Sequence, residues 1–263
     1  MLQIKNILYA KDLEEAYRAY ISEPDSVVLG GCGYLRLGSR KIATAIDLSH
    51  LNLDFIEKRE DTIEIGAMTT LRAIETSPLT SDLWGGMLAN SVSHIVGVQL
   101  RNIVTTGGTV AGRYAFSDPI TALLALDAKV ALFNHGEIDL ADFLETKGLR
   151  DIVVKITIPD DVRNGAFASI RKSNTDYAIL NCAVTVTTDS FRIVVGSRPG
   201  KAQRATRAEA YLLANGLNAD TASKAGKIAA EELKFGDNPR GKGKYRSAIC
   251  PVLIERCLAE VHK

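Results

Sequence analysis

Residues Ile103–Val130 read IVTTGGTVAGRYAFSDPITALLALDAKV. A β-branched run breaks into a double glycine, crosses small and polar residues, and meets Ser-Asp-Pro ahead of an apolar stretch. Asp118 reads as a helix N-cap and Pro119 as the first helical residue. ITALLALDA then supplies a helix of a length suited to a βαβ-like packing role, and AKVALF reads as the next strand. The double glycine carries the decision. Glycine lets the chain take φ > 0 and leaves backbone N–H groups unshielded by Cβ, which is the geometry of an anion-binding nest.

A second event of the same kind lies upstream, at VVLGGCGYLRLG, residues 27–38. Again a strand-forming run ends in Gly-Gly. Starting from Gly31, the dinucleotide fingerprint G-x-G-x-x-G is met at Gly33 but fails at Arg36, and no helix with a late ribose-binding acid follows. Neither loop continues into Gly-Lys-Ser or Gly-Lys-Thr, so a P-loop is excluded as well. Taken singly, each Gly-Gly suits a plain tight turn. As a pair, with a capped helix after the second, they suit two nests gripping one diphosphate.

The totals set the frame. A chain of 263 residues has room for two or three packed subdomains. Its 32 Lys plus Arg stand against 31 Asp plus Glu, so no global field favours nucleic acid or an anionic membrane. The apolar runs fall far short of a membrane span, and MLQIKNILYAKDLEE turns acidic where a signal peptide stays apolar, so a cytoplasmic protein is expected. Cys32, Cys182, Cys250 and Cys257 have neither zinc nor iron–sulfur spacing. No metal site and no Ser-His-Asp or paired-carboxylate catalytic set is expected, with His50, His94, His135 and His262 scattered along the chain.

Along the chain, Lys11–Ser22 places Leu13, Ala16, Tyr17 and Tyr20 on one helical face, and SVVLGG, KIATAIDLS and DTIEIGAM read as strands. Thr69-Thr70 caps a short helix, and Leu79–Val96 reads as a longer one weakened by Gly85-Gly86. After the strand DIVVKITIP the character changes at Pro159. FASIRKS, ILNCAVTVTT and SFRIVVGS are strand-like, followed by helices near 205–214 and 221–233. A last helix carries Ile249, Leu253, Cys257 and Val261, with Pro251 implying a late start or a bend. GDNPRGKG, 236–243, reads as a flexible loop.

With these motifs in order, the sequence resembles the flavin-binding medium subunits of molybdopterin-dependent hydroxylases, the group containing xanthine dehydrogenase and carbon monoxide dehydrogenase flavoproteins. LGGCGYL is similar to that family's first pyrophosphate loop, AIDLSHL with DTIEIGAMTTL to its next block, and QLRNIVTTGGTVAGRYAFSD to its second loop. IRKSNTDYAILNCAVTV, KAQRATRAEAYL and GKYRSAICPVLIERCL are similar to its C-terminal domain. The resemblance covers nearly the whole chain and implies an α+β protein. Residues 1–159 would form a two-subdomain FAD-binding domain of the PCMH type, divided into about 1–56 and 57–159. Residues 160–263 would form an antiparallel sheet with helices.

The resemblance further implies that backbone groups of Gly30, Gly31, Cys32 and Gly33, with those of Thr106, Gly107, Gly108 and Thr109, hold the FAD pyrophosphate. Thr105 and Asp118 would add side-chain contacts, Ile95 would lie near the flavin ring, and Tyr34 would stack on a ring or serve as an ordinary tyrosine. The family lysine falls near Ser169, leaving Arg171 or Lys172 as the cation beside a reduced flavin. Partners implied are a molybdopterin-containing large subunit and a 2Fe-2S small subunit, with electrons passing through FAD to NAD+ or another acceptor. Thr109 replaces the family's usual Asn, and Arg113 and Tyr114 are bulkier than the small residues common there. Two other readings stand beside this one: a scaffold subunit that has lost flavin, and a stand-alone flavin reductase.

Overall fold

The computed structural model describes residues 1–161 and 163–262. The chain opens with β1 (Gln3–Tyr9), α1 (Leu13–Ser22), β2 (Val27–Leu29), β3 (Lys41–Asp47), β4 (Ile56–Arg59) and β5 (Thr62–Gly66). Short helices follow: α2 (Leu71–Thr76), α3 (Pro78–Ser81), α4 (Met87–Ser93), α5 (Val98–Arg101) and α6 (Thr106–Gly112). Then come α7 (Asp118–Ala125), β6 (Lys129–Leu132), β7 (Gly136–Asp139), α8 (Leu140–Glu145) and β8 (Val153–Pro159). The remainder is β9 (Asn164–Ile170), β10 (Leu180–Val186), β11 (Phe191–Gly196), β12 (Gln203–Arg204), α9 (Thr206–Asn215), α10 (Ala219–Glu232) and α11 (Gly243–Val261).

These elements form two compact units, each threaded by several segments. The first takes residues 1–73, 98–112 and 128–159; the second takes 74–97, 113–127 and the chain from 160 onward.

In the first unit a parallel sheet of order β1-β3-β2 meets α1 through Ala16, Ile46 and Leu48. Asp12 caps α1 by accepting from the Glu15 amide at 2.7 Å, and Glu14 and Glu15 complement the positive end of the helix. A five-stranded antiparallel sheet of order β4-β5-β8-β6-β7 completes the unit. Its register sets Ile63 opposite Ile158 and Ile65 opposite Ile156, all four with no exposure, as the period of two in DTIEIG requires. Each such burial contributes roughly 1.5–3 kcal/mol.

In the second unit an antiparallel sheet of order β12-β11-β10-β9 is covered on one face by α9, α10 and α11, around Cys182, Val184, Ile193, Val195, Leu253 and Cys257. Helix α7 packs on β10 and β11. With helices on both sides, β10 is buried along nearly its whole length, and its LNCAVTV run is accordingly almost continuously apolar.

Several expectations are revised. Strand β1 went unread because its pattern is broken by polar residues and it lies almost fully exposed at a sheet edge. Helix α7 plays no βαβ role: it belongs to the second unit, and its cap is Ser117, whose Oγ accepts from the Ile120 amide, with Asp118 inside the first turn. The long helix over 79–96 breaks into α3 and α4 at Trp84, Gly85 and Gly86, which have φ of 54°, 64° and 69°. A Cβ at Gly85 would stand 2.5 Å from the Gly165 carbonyl oxygen, so the backbone of β9 comes too close for any side chain there. Helix α11 runs unbroken through Pro251. The 236–243 loop is pinned: the fully buried Arg246 donates to the carbonyls of Ile179, Gly236 and Gly241 and to the Asn238 side chain.

Candidate functional site

Both glycine motifs lie in the first unit, and they touch. A Cβ built on Gly31 would stand 1.6 Å from the Ile103 carbonyl oxygen, and one on Gly30 would stand 2.8 Å from Thr105 Oγ1 and 3.0 Å from Gly108 Cα. Gly33 faces Val104 Cγ2 at 3.1 Å by the same construction. Glycine is therefore required here for close approach of two backbones. The left-handed residue of the first loop is Cys32, with φ of 56°, while Gly30, Gly31, Gly107 and Gly108 do not use positive φ.

Among the described residues, the amides of Gly30, Gly31, Cys32 and Gly33 have no acceptor. A run of unpaired N–H groups around a left-handed residue is a ready anion cradle. Cys32 Sγ donates to the Gly30 carbonyl at 3.1 Å, and burial together with the nearby Asp47 carboxylate pushes the thiol above its ordinary pKa, so it stays protonated at neutral pH. Tyr34 sits half-buried where the loop turns into a short 3-10 segment.

The second motif is a helix start, α6, and its amides are engaged. Thr106 N–H donates to the Thr69 carbonyl at 2.9 Å, Gly107 N–H to the Ala67 carbonyl at 2.8 Å, and Thr109 N–H to the Thr105 carbonyl at 2.9 Å. Gly108 N–H donates to Thr105 Oγ1 at 3.2 Å, so Thr105 caps the helix. Thr109 Oγ1 donates back to the Thr105 carbonyl at 2.9 Å. Gly107 is packed against Ala67, whereas Gly108 is exposed and lies beside Gly30. The two motifs thus divide the labour: the first offers donors, and the second offers a flat surface with no side chain in the way. What suits a diphosphate is the donor set, four successive amides at Gly30–Gly33, while the glycines themselves let the second loop close against the first, with Ile103 and Thr105 in the space a Cβ would take.

Asp118, Arg171, Lys172 and Ile95 lie in the second unit. Asp118 is 4 % exposed, and both its oxygens are taken: Asn181 Nδ2 donates to Oδ1 and Arg171 Nη2 to Oδ2. Burial raises the Asp118 carboxyl above its ordinary pKa, against the opposing pull of Arg171 and Asn181. Arg171 is held further by the Asp176 carbonyl at 2.8 Å and Ser169 Oγ at 3.2 Å. Lys172 is exposed, with Nζ 3.5 Å from the Pro239 carbonyl. Ile95 is half-buried, and its amide donates to Val92; the next residue, Val96, has φ of 48°, an outlier for a β-branched side chain.

Sequence reasoning missed the rest of this network. Asn181 also donates to Ser197 Oγ at 3.2 Å and accepts from Thr121 Oγ1 at 3.0 Å, and Gly196 leaves room for it. A polar residue inside the apolar run ILNCAV was the available signal, because a buried amide demands partners.

Residues 2–161 match the family described as FAD binding domain in molybdopterin dehydrogenase, and residues 165–261 match the CO dehydrogenase flavoprotein C-terminal domain. The nicotine 6-hydroxylase medium subunit of Paenarthrobacter nicotinovorans is 26 % identical over 279 residues, covering 98 % of each chain. The 6-hydroxypseudooxynicotine dehydrogenase complex subunit alpha of the same organism is 28 % identical, over 95 % of this chain and 92 % of its own. In structure, carbon monoxide dehydrogenase from Hydrogenophaga pseudoflava superimposes with a TM-score of 0.89 at 23 % identity, over 99 % of this chain and 97 % of that one. The chain therefore belongs to the FAD-binding family of molybdopterin dehydrogenases, completed by a CO dehydrogenase flavoprotein C-terminal domain, and FAD is its cofactor.

Proposed function

We propose that this chain is the flavin relay of a molybdenum hydroxylase complex of the xanthine dehydrogenase type, working in the cytoplasm. In this reading a molybdopterin-containing large subunit oxidises the substrate, a 2Fe-2S small subunit delivers single electrons, and NAD+ or another acceptor leaves reduced. The observation that carries it is the row of unpaired amides at Gly30–Gly33, backed by the Gly108 surface, in a chain spanned by two consecutive family matches. The medium-subunit and complex-subunit names of the relatives support the multi-subunit setting.

Bound FAD supplies the chemistry the polypeptide lacks, exchanging one-electron and two-electron steps. The residues of the chain bind and orient it. Gly30, Gly31, Cys32 and Gly33 hold the diphosphate through N–H groups, and Thr105 and Thr106 brace the facing helix so that Gly107 and Gly108 keep their approach. Of the two candidate cations, Arg171 is the one fixed in position and is assigned to the reduced flavin; Lys172 is solvated. Asp118 then orients Arg171. Ile95 and Tyr34 are assigned to the flavin surroundings, and the sequence-level domain boundary is kept at 159/160.

The visible spectrum after incubation with FAD and desalting tests this reading. Retained flavin absorption, lost in Gly108→Asp, which puts a carboxylate on the exposed glycine, is expected. A folded chain without flavin absorption, alone and in complex with its partners, would favour the scaffold reading, for which the engaged amides of Thr106 and Gly107 and the replacement by Thr109 are the supporting observations. Co-purification with molybdenum and iron–sulfur subunits separates the relay from a stand-alone flavin reductase.

A further inference from the structure

Strand β1 of the first unit is less covered than its place in the fold calls for. A parallel sheet normally has both faces packed, yet six of the seven residues of β1 are exposed. The period of two divides them between the faces. Leu8, opposite Ile46, turns toward the core shared with α1. Lys5, Ile7 and Tyr9 alternate with it onto the other face, Ile7 at 54 % and Tyr9 at 59 % exposure. The sheet order β1-β3-β2 leaves β1 one neighbour and one open edge. A further apolar side chain adjoins that edge. Leu37, 76 % exposed, ends the 3-10 segment that follows the Gly30–Gly33 cradle. Three residues on, the Arg40 carbonyl accepts from the Gln3 amide at 3.1 Å, which sets this turn beside the start of β1.

The charge around this edge is of one sign. MLQIKNILYAK, residues 1–11, and GYLRLGSRKIATAI, residues 33–46, together carry five cations and no acid, in a protein whose net charge is +1. Lys5, Arg36, Arg40 and Lys41 are exposed, and among the described residues none of the four is paired with a carboxylate. The carboxylates nearest in the fold are engaged elsewhere: Glu23 accepts from Thr44 Oγ1 at 2.7 Å, and Asp47, at the far end opposite Tyr9, accepts from the Ser49 amide at 2.7 Å. An apolar strip rimmed by unpaired charge is the composition of an interaction surface, and an open strand edge supplies backbone groups for an added strand. A second copy of this chain does not suit it. Self-pairing would set Lys5 and Lys41 against cations of the same kind, and a lysine within an edge strand is a common device against such pairing. Nucleic acid would leave Ile7 and Leu37 without use. An extended segment that alternates apolar and acidic side chains uses the edge, the strip and the charges together.

We propose that the open edge and outer face of β1, with the turn from Arg36 to Lys41, dock an acidic, extended segment of the 2Fe-2S subunit as a fourth strand of the sheet. Its apolar side chains lie over Ile7, Tyr9 and Leu37, and its carboxylates meet Lys5, Arg36, Arg40 and Lys41. The inference rests on the relay reading and names the surface that reading needs. Of the two partners in that reading, the one that hands electrons to this chain has to touch it, and the large subunit does not.

The test is titration of the full chain, incubated with FAD, with the 2Fe-2S subunit of its complex at low and at high salt. Saturable binding is expected, weaker at high salt and at least tenfold weaker when Lys5→Glu is combined with Lys41→Glu. Lys5→Gln with Lys41→Gln should lie between, and all the charge variants should lose part of the salt dependence. Leu37→Ser, on the exposed turn, should weaken binding at either salt concentration. Flavin absorption and the urea midpoint should match the parent in each variant, which separates a lost surface from a misfolded chain. Affinity within twofold of the parent in the charge variants and in Leu37→Ser overturns the proposal while the relay stands. If the variants keep the 2Fe-2S subunit and lose the large one, the surface belongs to the other partner and the proposal fails. It fails equally if the parent self-associates through this edge, or if a nucleic-acid fragment binds there in place of the subunit. A flavin-replete parent that binds no 2Fe-2S subunit at all sinks the relay together with this site.

Discussion

The two regions proposed above to serve the cofactor are built by opposite means. In the first unit the cradle at Gly30–Gly33 and Gly107–Gly108 is made by withholding side chains, so that backbone meets backbone and N–H groups stay open. In the second unit the Asp118–Arg171–Asn181 cluster is made by burying polar side chains until each satisfies another. The first tolerates almost no added atom. The second tolerates almost no lost one.

That contrast is breakable. Asp118→Ala removes the carboxylate from a buried guanidinium and an amide at once, and a loss of about 3–5 kcal/mol in urea unfolding is expected. If the loss stays under about 1 kcal/mol, the cluster is solvated in solution and the contrast collapses. Gly31→Ala adds one methyl against the Ile103 carbonyl and should cost about 1–3 kcal/mol while abolishing flavin retention. Retention of flavin by that variant would mean that the two loops separate freely.

A pH series sharpens the comparison. Asp118 has a folded-state pKa raised by burial, so protons favour the folded form. Its contribution is fully present below the ordinary value of 3.8 and is lost as pH rises through the raised value. Relative to Asp118→Asn, the parent should therefore lose stability across that window, and a difference that is flat with pH would show that the Arg171 charge offsets the cost of burying the carboxylate. The smallest effect expected is Val96→Gly, which relieves a left-handed β-branched residue and should stabilise by about 1 kcal/mol. Destabilisation would show that the Val96 side chain is held by packing worth more than its strain.

The same contrast explains what was legible. A site made of absent side chains writes itself into sequence as Gly-Gly at strand ends, and the two loops, taken in order with the block between them and the three C-terminal motifs, carried the family resemblance. Its detail was less legible: glycines needed for close approach and glycines needed for φ > 0 look alike in one dimension, and Cys32 took the left-handed position unannounced. A site made of side chains from α7, β10 and β11 has no local period, so Asn181, Ser197 and the Ser117 cap emerged only with the fold. The alternation in DTIEIG and the helical spacing in the last helix were readable because each buries one face. The break at Trp84-Gly85-Gly86 was foreshadowed by the glycines, but its left-handed turn depends on the approach of Gly165, far along the chain.

The interleaving of the two units has a consequence for the order in which the molecule can be made. Helix α7 is buried along its entire length, against strands β10 and β11 that leave the ribosome well after it, and segment 74–97 likewise belongs with residues beyond 160. These apolar stretches must wait, uncovered, until the end of the chain arrives. A nascent chain halted near residue 160 would hold a family-sized domain by sequence and an unfinished one by packing, which makes the C-terminal helices as much a condition of assembly as a part of the product.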